Sequence, residues 1–213
     1  MKKAIVIGST GLVGTQLVNL LMNNENFTEI ISFVRRSSGV SHPKLTEHIV
    51  NFDNPDEWKE LVKGDVLFSA MGTTLAKAKT KNFQYKVDFT YQYETAKAAF
   101  ENGVPCYVLV SSAGANPDSI NFYLNMKGKL EKEINRLPFK STQIFRPGQL
   151  DGNRKEKRLG EKLALKLTYF ANKLGLFNKY RPIQGSELAK AMIAASEKPQ
   201  SGIYTLNQIF DLI

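Results

Sequence analysis

Tyr123 and Lys127 stand four residues apart, a spacing that puts both side chains on one face of a helix. A free phenol, with a pKa near ~10, carries protons poorly at neutral pH. A neighbouring ammonium favours the phenolate and brings the tyrosine toward the working range, so such a pair can give a proton to a developing alkoxide. The spacing recurs at Tyr93/Lys97 and Tyr169/Lys173, so position has to separate the three. Tyr123 follows the apolar run Cys106–Ser111, whose end carries Ser111-Ser112-Ala113-Gly114, and precedes the run Thr142–Phe145. Tyr93 falls before that serine pair, and Tyr169 falls beyond Arg146-Pro147-Gly148. Ser112, Tyr123 and Lys127 are therefore the candidate catalytic set. Ser112 would hold a substrate oxygen toward Tyr123, and Lys127 would tune the phenol while binding a ribose. The plainer alternative is a helix with a core tyrosine and a surface lysine.

A second constellation lies at the start of the chain. Gly8-Ser9-Thr10-Gly11-Leu12-Val13-Gly14 follows the apolar run Ala4–Ile7 and leads directly into a helical pattern. In a strand–turn–helix unit the first glycine permits the sharp turn, the second lets backbone approach a pyrophosphate, and the third lets the helix pack closely on the strand. The phosphates would then meet free N–H groups at the positive end of the helix. All seven residues are candidate dinucleotide contacts.

Which dinucleotide is suggested by Ser32-Phe33-Val34-Arg35-Arg36-Ser37-Ser38. An NAD site commonly has a carboxylate at the end of the second strand for the ribose hydroxyls, and this segment has none. Arg35 and Arg36 stand there instead, and a guanidinium fork suits a 2′-phosphate. NADP, as NADPH, is the expected cofactor. Asp53 is placed to read the adenine, with capping of a helix near Pro55 as its other use. Ala70, Met71 and Gly72 offer small residues and backbone to the nicotinamide-side ribose.

These groups need a scaffold, and the chain alternates short β-branched runs with helical patterns. The strands expected are Ala4–Ile7, Glu29–Val34, Glu47–Val50, Asp65–Ala70, Cys106–Ser111, Thr142–Phe145 and Ile203–Leu206. The helices expected are Leu12–Asn23, Pro55–Leu61, Phe83–Asn102, Asn121–Arg136, Glu161–Leu174 and Gly185–Ser196. This order implies an α/β fold: a doubly wound parallel β-sheet with helices on both faces. One domain spans residues 1–213, with 150–180 as a basic, amphipathic, substrate-side segment.

Composition bounds the rest. The 213 residues are 42% hydrophobic and 23% charged, which suits one globular domain. The lone Cys106 excludes an internal disulfide, and no run reaches the ~18 apolar residues of a membrane span. A cytoplasmic protein is the expectation. The net charge of +9 concentrates in residues 126–181, which hold 15 Lys/Arg against 5 Asp/Glu. This excess hints at an anionic small-molecule substrate. A nucleic-acid partner ranks last, because no stacking aromatic cluster accompanies the charge. The apolar residues 203–213 either finish the sheet or meet a second subunit, leaving monomer and homodimer both open.

Together these residues resemble the short-chain dehydrogenase/reductase superfamily in its atypical branch. More narrowly, the chain is similar to the Tat-interacting-protein/oxidoreductase group of small members. Met71-Gly72-Thr73-Thr74, Tyr85-Lys86-Val87-Asp88, Ser111-Ser112-Ala113-Gly114-Ala115, Asn121-Phe122-Tyr123 leading to Lys127-Gly128, and Phe145-Arg146-Pro147-Gly148 carry the likeness. It implies a Rossmann fold, NADP binding and a Ser-Tyr-Lys reductase site acting on a small carbonyl or quinone-like substrate, with Pro147 and Gly148 beside the cofactor. Asp88 departs from the superfamily's commoner Asn. The group also includes proteins known through protein partners, so a non-catalytic NADP-binding regulator is the competing expectation.

Overall fold

The computed structural model describes residues 1–151 and 181–213. Seven parallel strands form one sheet: β1 (Lys2–Ile7), β2 (Phe27–Val34), β3 (Leu45–Ile49), β4 (Val66–Ser69), β5 (Cys106–Val110), β6 (Ser141–Arg146) and, last in the chain, Gly202–Thr205. Leu150–Asp151 and Ile183–Gln184 make a separate two-stranded pair and take the labels β7 and β8, so the seventh sheet strand is β9. The sheet order is β3-β2-β1-β4-β5-β6-β9. The order reverses between β1 and β4, which opens a crevice at the carboxyl ends of the strands where an α/β fold binds its ligand.

The central strands are apolar and buried, Ala4–Ile7 of β1, Val66–Phe68 of β4 and the whole of β5, because both faces of the sheet are covered there. Along β1 the side chains alternate: Ala4 and Val6 join the cluster formed with Leu17 and Leu21 of α1 (Leu12–Met22), while Ile5 and Ile7 face the opposite cluster. The first cluster is closed by Leu188 and Met192 of a helix over Gly185–Ser196. The second is closed by α4 (Tyr91–Glu101) and α5 (Phe122–Ile134), through Ala96, Ala99, Leu130 and Ile134. Two short helices, α2 (Leu75–Ala78) and α3 (Lys81–Tyr85), precede α4, and the Gly185–Ser196 helix is α6.

Several elements differ from expectation. The helix expected over Pro55–Leu61 is two 3-10 turns, Pro55–Glu57 and Lys59–Leu61. Trp58 separates them, because its ring is buried and its Nε1–H donates to the Asn51 carbonyl at 3.0 Å. The helix expected from Phe83 starts earlier, at Lys81, and carries a π-turn over Lys86–Thr90 before α4. The chain ends in a 3-10 helix, Leu206–Leu212, that buries Ile209 in the core. Apart from Leu150 and Asp151, the basic substrate-side segment 150–180, with the helix expected over Glu161–Leu174, lies outside the described residues.

Candidate functional site

At the crevice, the glycine turn is tight enough to exclude side chains. Gly8 has φ +80°, and a Cβ there would lie 2.5 Å from the Ala70–Met71 peptide. A Cβ on Gly14 would come within 2.1 Å of the Gly8 carbonyl oxygen, and one on Gly11 within 3.1 Å of it. The loops after β1 and β4 are thus pressed together, with the Ala70 N–H also donating to the Ile7 carbonyl at 3.0 Å. Helix α1 begins at Gly11 with no side-chain cap and no acidic residue in its first turn. Its first N–H groups and its positive end therefore suit a pyrophosphate. Val13 packs into the core and Leu12 is half-buried, so what either offers a ligand is backbone. The buried Ser32 hydroxyl donates to the Ser9 hydroxyl at 2.6 Å and braces the turn against β2.

Beside this turn lies a cleft of about 430 Å³ whose walls include Ser9, Thr10, Arg35, Arg36 and Glu47. Arg35 and Arg36 are exposed there, and neither forms an ion pair among the described residues. Glu47 was not expected. It comes from β3, not from the end of β2 where a ribose-binding carboxylate is usually sought.

Ser112 follows the end of β5 and Lys127 reaches the Val110 carbonyl there, while Tyr123 lies in the first turn of α5, one turn before Lys127. Asn121 caps α5, its side-chain oxygen accepting from the N–H groups of Tyr123 (3.0 Å) and Leu124 (3.1 Å). One turn later Lys127 is 2% exposed, and its Nζ donates to the Val110 carbonyl at 3.3 Å. The second charge on Lys127 is Asp88, also buried, with Oδ1 at 3.8 Å. The π-turn carries Asp88 inward, and its Oδ2 accepts the Thr73 N–H at 2.9 Å. Burial pushes the Asp88 carboxyl above its ordinary value, and the Lys127 charge and the Thr73 N–H only partly oppose this. Gly72 leaves room for that carboxylate, since a Cβ there would sit 3.1 Å from Oδ1.

The two strand-end serines have separate fates. Ser111 is buried and donates to Glu131, which also takes the Arg146 Nε–H at 3.0 Å. Ser112 is half-buried, and its hydroxyl reaches only the neighbouring Ala113 carbonyl at 3.3 Å. The Tyr123 side chain is half-buried in the first turn of α5. Pro147 supports the same edge, its carbonyl accepting the Ala113 N–H at 2.9 Å, and Gly148 packs on Leu206. The Glu131–Arg146–Ser111 network was missed in the sequence, although Glu131 lies one helical turn beyond Lys127.

Asp53 does not cap the turn at Pro55. Its carboxylate pairs with Lys86 at 2.6 Å and accepts the Tyr91 hydroxyl at 2.7 Å, while Asn54 occupies the cap position before Pro55. Lys86, first, and Tyr91 hold the Asp53 carboxyl below its ordinary value.

The comparisons agree with this geometry. The model of the family described as NAD(P)H-binding matches residues 8–166. "Protein FMP52, mitochondrial" of Candida albicans is 36% identical over 204 residues, covering 92% of this chain and 89% of that protein. Its namesake in Debaryomyces hansenii is 37% identical over 203 residues, with 92% and 88% covered. Among solved structures, Bordetella bronchiseptica WbmH in complex with NAD+ superposes with a TM-score of 0.74 at 16% identity, over 96% of this chain and 76% of that one. The UDP-N-acetylglucosamine 4-epimerase of Methanobrevibacter ruminantium gives 0.72 at 16% identity, over 99% and 80%. The relatives' names correct the cytoplasmic expectation, pointing to a mitochondrial setting. Composition could not decide this, because organelle addresses are read by receptors and leave a folded domain's bulk composition unchanged. With a Rossmann sheet, a glycine turn that admits no side chain and a match spanning most of its length, the chain belongs to the NAD(P)H-binding family, in keeping with its short-chain dehydrogenase/reductase resemblance.

Proposed function

We propose that this protein is an NADPH-dependent oxidoreductase acting on a small carbonyl or quinone-like substrate, with Tyr123 as proton donor. The observation that carries the reading is Lys127: an ammonium 2% exposed, at the end of β5, four residues along the helix from Tyr123. Burying a lysine is costly unless its charge is used. Bound NADPH supplies the hydride. Tyr123 gives its phenolic proton to the oxygen that gains charge, and Ser112 donates a hydrogen bond to the same oxygen. Val110 and Asp88 take up two directions of the Lys127 ammonium, which would leave a third N–H for a ribose hydroxyl.

The preference for NADPH rests on Arg35 and Arg36, two guanidiniums that form no ion pair among the described residues, on the wall of the cleft beside the glycine turn. Calorimetric titration tests it: the Arg35→Ala/Arg36→Ala variant should lose about tenfold or more in NADPH affinity, with NADH little changed. In a carbonyl-substrate screen, Tyr123→Phe should cut turnover by ~100-fold or more while cofactor binding persists. Full retention of function by Tyr123→Phe would instead support a non-catalytic, partner-binding role.

A further inference from the structure

Glu47 stands on the cleft wall that carries Arg35 and Arg36, yet it bonds to neither. Its Oε2 accepts the Ser37 hydroxyl at 2.9 Å and the Ser38 N–H at 3.0 Å, and its Oε1 lies 3.4 Å from the same N–H. The turn is braced from behind: the Gly39 N–H donates to the Ser37 hydroxyl at 3.1 Å, and the Val40 N–H to the Ser38 hydroxyl at 3.2 Å. Burial raises the Glu47 carboxyl, but the Ser38 and Ser37 hydrogen bonds outweigh it and leave the group below its ordinary value. It is an anion at neutral pH.

A hydroxyl and a backbone N–H, next to two free guanidiniums, are the donors a phosphate monoester takes. Here both are spent on a carboxylate of the protein itself. We propose that Glu47 occupies the seat of the cofactor's 2′-phosphate and sets the balance between the two dinucleotides, an inference that rests on the dinucleotide reading of this cleft. A 2′-phosphate has to take the Ser37 hydroxyl and Ser38 N–H from Glu47, or lie beside it against like charge. A bare 2′-hydroxyl faces neither obstacle and can donate to the carboxylate as it stands. Arg35 and Arg36 pull toward the phosphorylated cofactor, and Glu47 pulls against it.

The adenosine fragments isolate this end of the molecule from any chemistry at Tyr123. 2′,5′-ADP and 5′-AMP are titrated calorimetrically into the wild-type chain and into Glu47→Gln. Glu47 is only half-buried and lies on the edge strand β3, so the variant's thermal midpoint serves as the check on folding. Removing the negative charge should tighten 2′,5′-ADP binding roughly five- to tenfold and move 5′-AMP by less than about twofold. If the wild type binds 2′,5′-ADP and the variant binds it no better, or worse, the inference is overturned and Glu47 is a scaffold for a phosphate-binding turn. If neither protein binds either fragment, NADH or NADPH, the dinucleotide reading itself fails, which is a different result.

Discussion

Asp88 and Lys127 are both almost fully buried and 3.8 Å apart, and the direction of the Asp88 shift says what that pair does for stability. Burial raises the carboxyl's pKa despite the ammonium beside it. A folded-state pKa above the unfolded one means that the native state binds this proton more tightly. Stability is then highest below the ordinary carboxylate range and declines as pH rises through the interval up to the raised value. Ionised Asp88 thus works against the fold at neutral pH, as buried ion pairs often do. Asp88→Asn, which keeps an acceptor for the Thr73 N–H but leaves the buried Lys127 ammonium without its counter-charge, should lose the part of the pH dependence that Asp88 contributes and so flatten the acid-side slope. Thermal unfolding followed from pH 3, below the ordinary carboxylate range, up to pH 7 checks this. A slope that is unchanged or steeper in this variant would contradict the sign argued here. The expense is consistent with a pair kept for the lysine's orientation, which is the role proposed for it.

At the scale of elements, α5 is the piece that turns a strand end into a site. It is locked in two places. Glu131 ties it to β5 through Ser111 and to β6 through Arg146. Gly128 lets it lie directly on the loop after β5, since a Cβ there would sit 2.2 Å from the Asn116 carbonyl carbon and 2.3 Å from the Pro117 nitrogen. Backbone on both sides cannot yield. Gly128→Ala should therefore push α5 outward, destabilise the protein by about 2 kcal/mol or more despite alanine's better helix propensity, and displace Lys127 from Val110. Chemical denaturation measures the first effect. An unchanged midpoint would show that the helix and loop can part freely. The π-turn before α4 has the complementary task, since one extra residue in that turn is associated with Asp88 facing inward to Thr73 and Lys127.

Over the whole molecule, the sheet order brings the ends of β1, β4 and β5 together, and with them the glycine turn, the Ala70–Gly72 loop and Ser112. The same close covering seals Cys106 at 7% exposure and pushes its thiol up to about 11. Because the thiolate is the reactive form, alkylation of the native protein at pH 8 should run at least ~100-fold slower than that of the denatured chain, as mass spectrometry of quenched samples would show. Comparable rates would mean that the sheet opens readily near β5. Strands, helices and the parallel fold were legible because a strand covered on both faces must be apolar along its length, and because the Gly8, Gly11 and Gly14 spacing has few other uses. That Tyr123 and Lys127 share one helix was legible because the apolar positions around them repeat at helical spacing. Asp53 was not, since its partner Tyr91 lies 38 positions away and only packing sets that contact. Neither was Glu47, which enters the cleft from β3 because parallel pairing lays β3 beside β2. The sequence alone determined periodicity, local spacing and which residue types were on hand. Which charges meet was left to the tertiary structure, because Coulomb and hydrogen-bond energies depend on distance through space and on burial, and neither is a property of position along the chain.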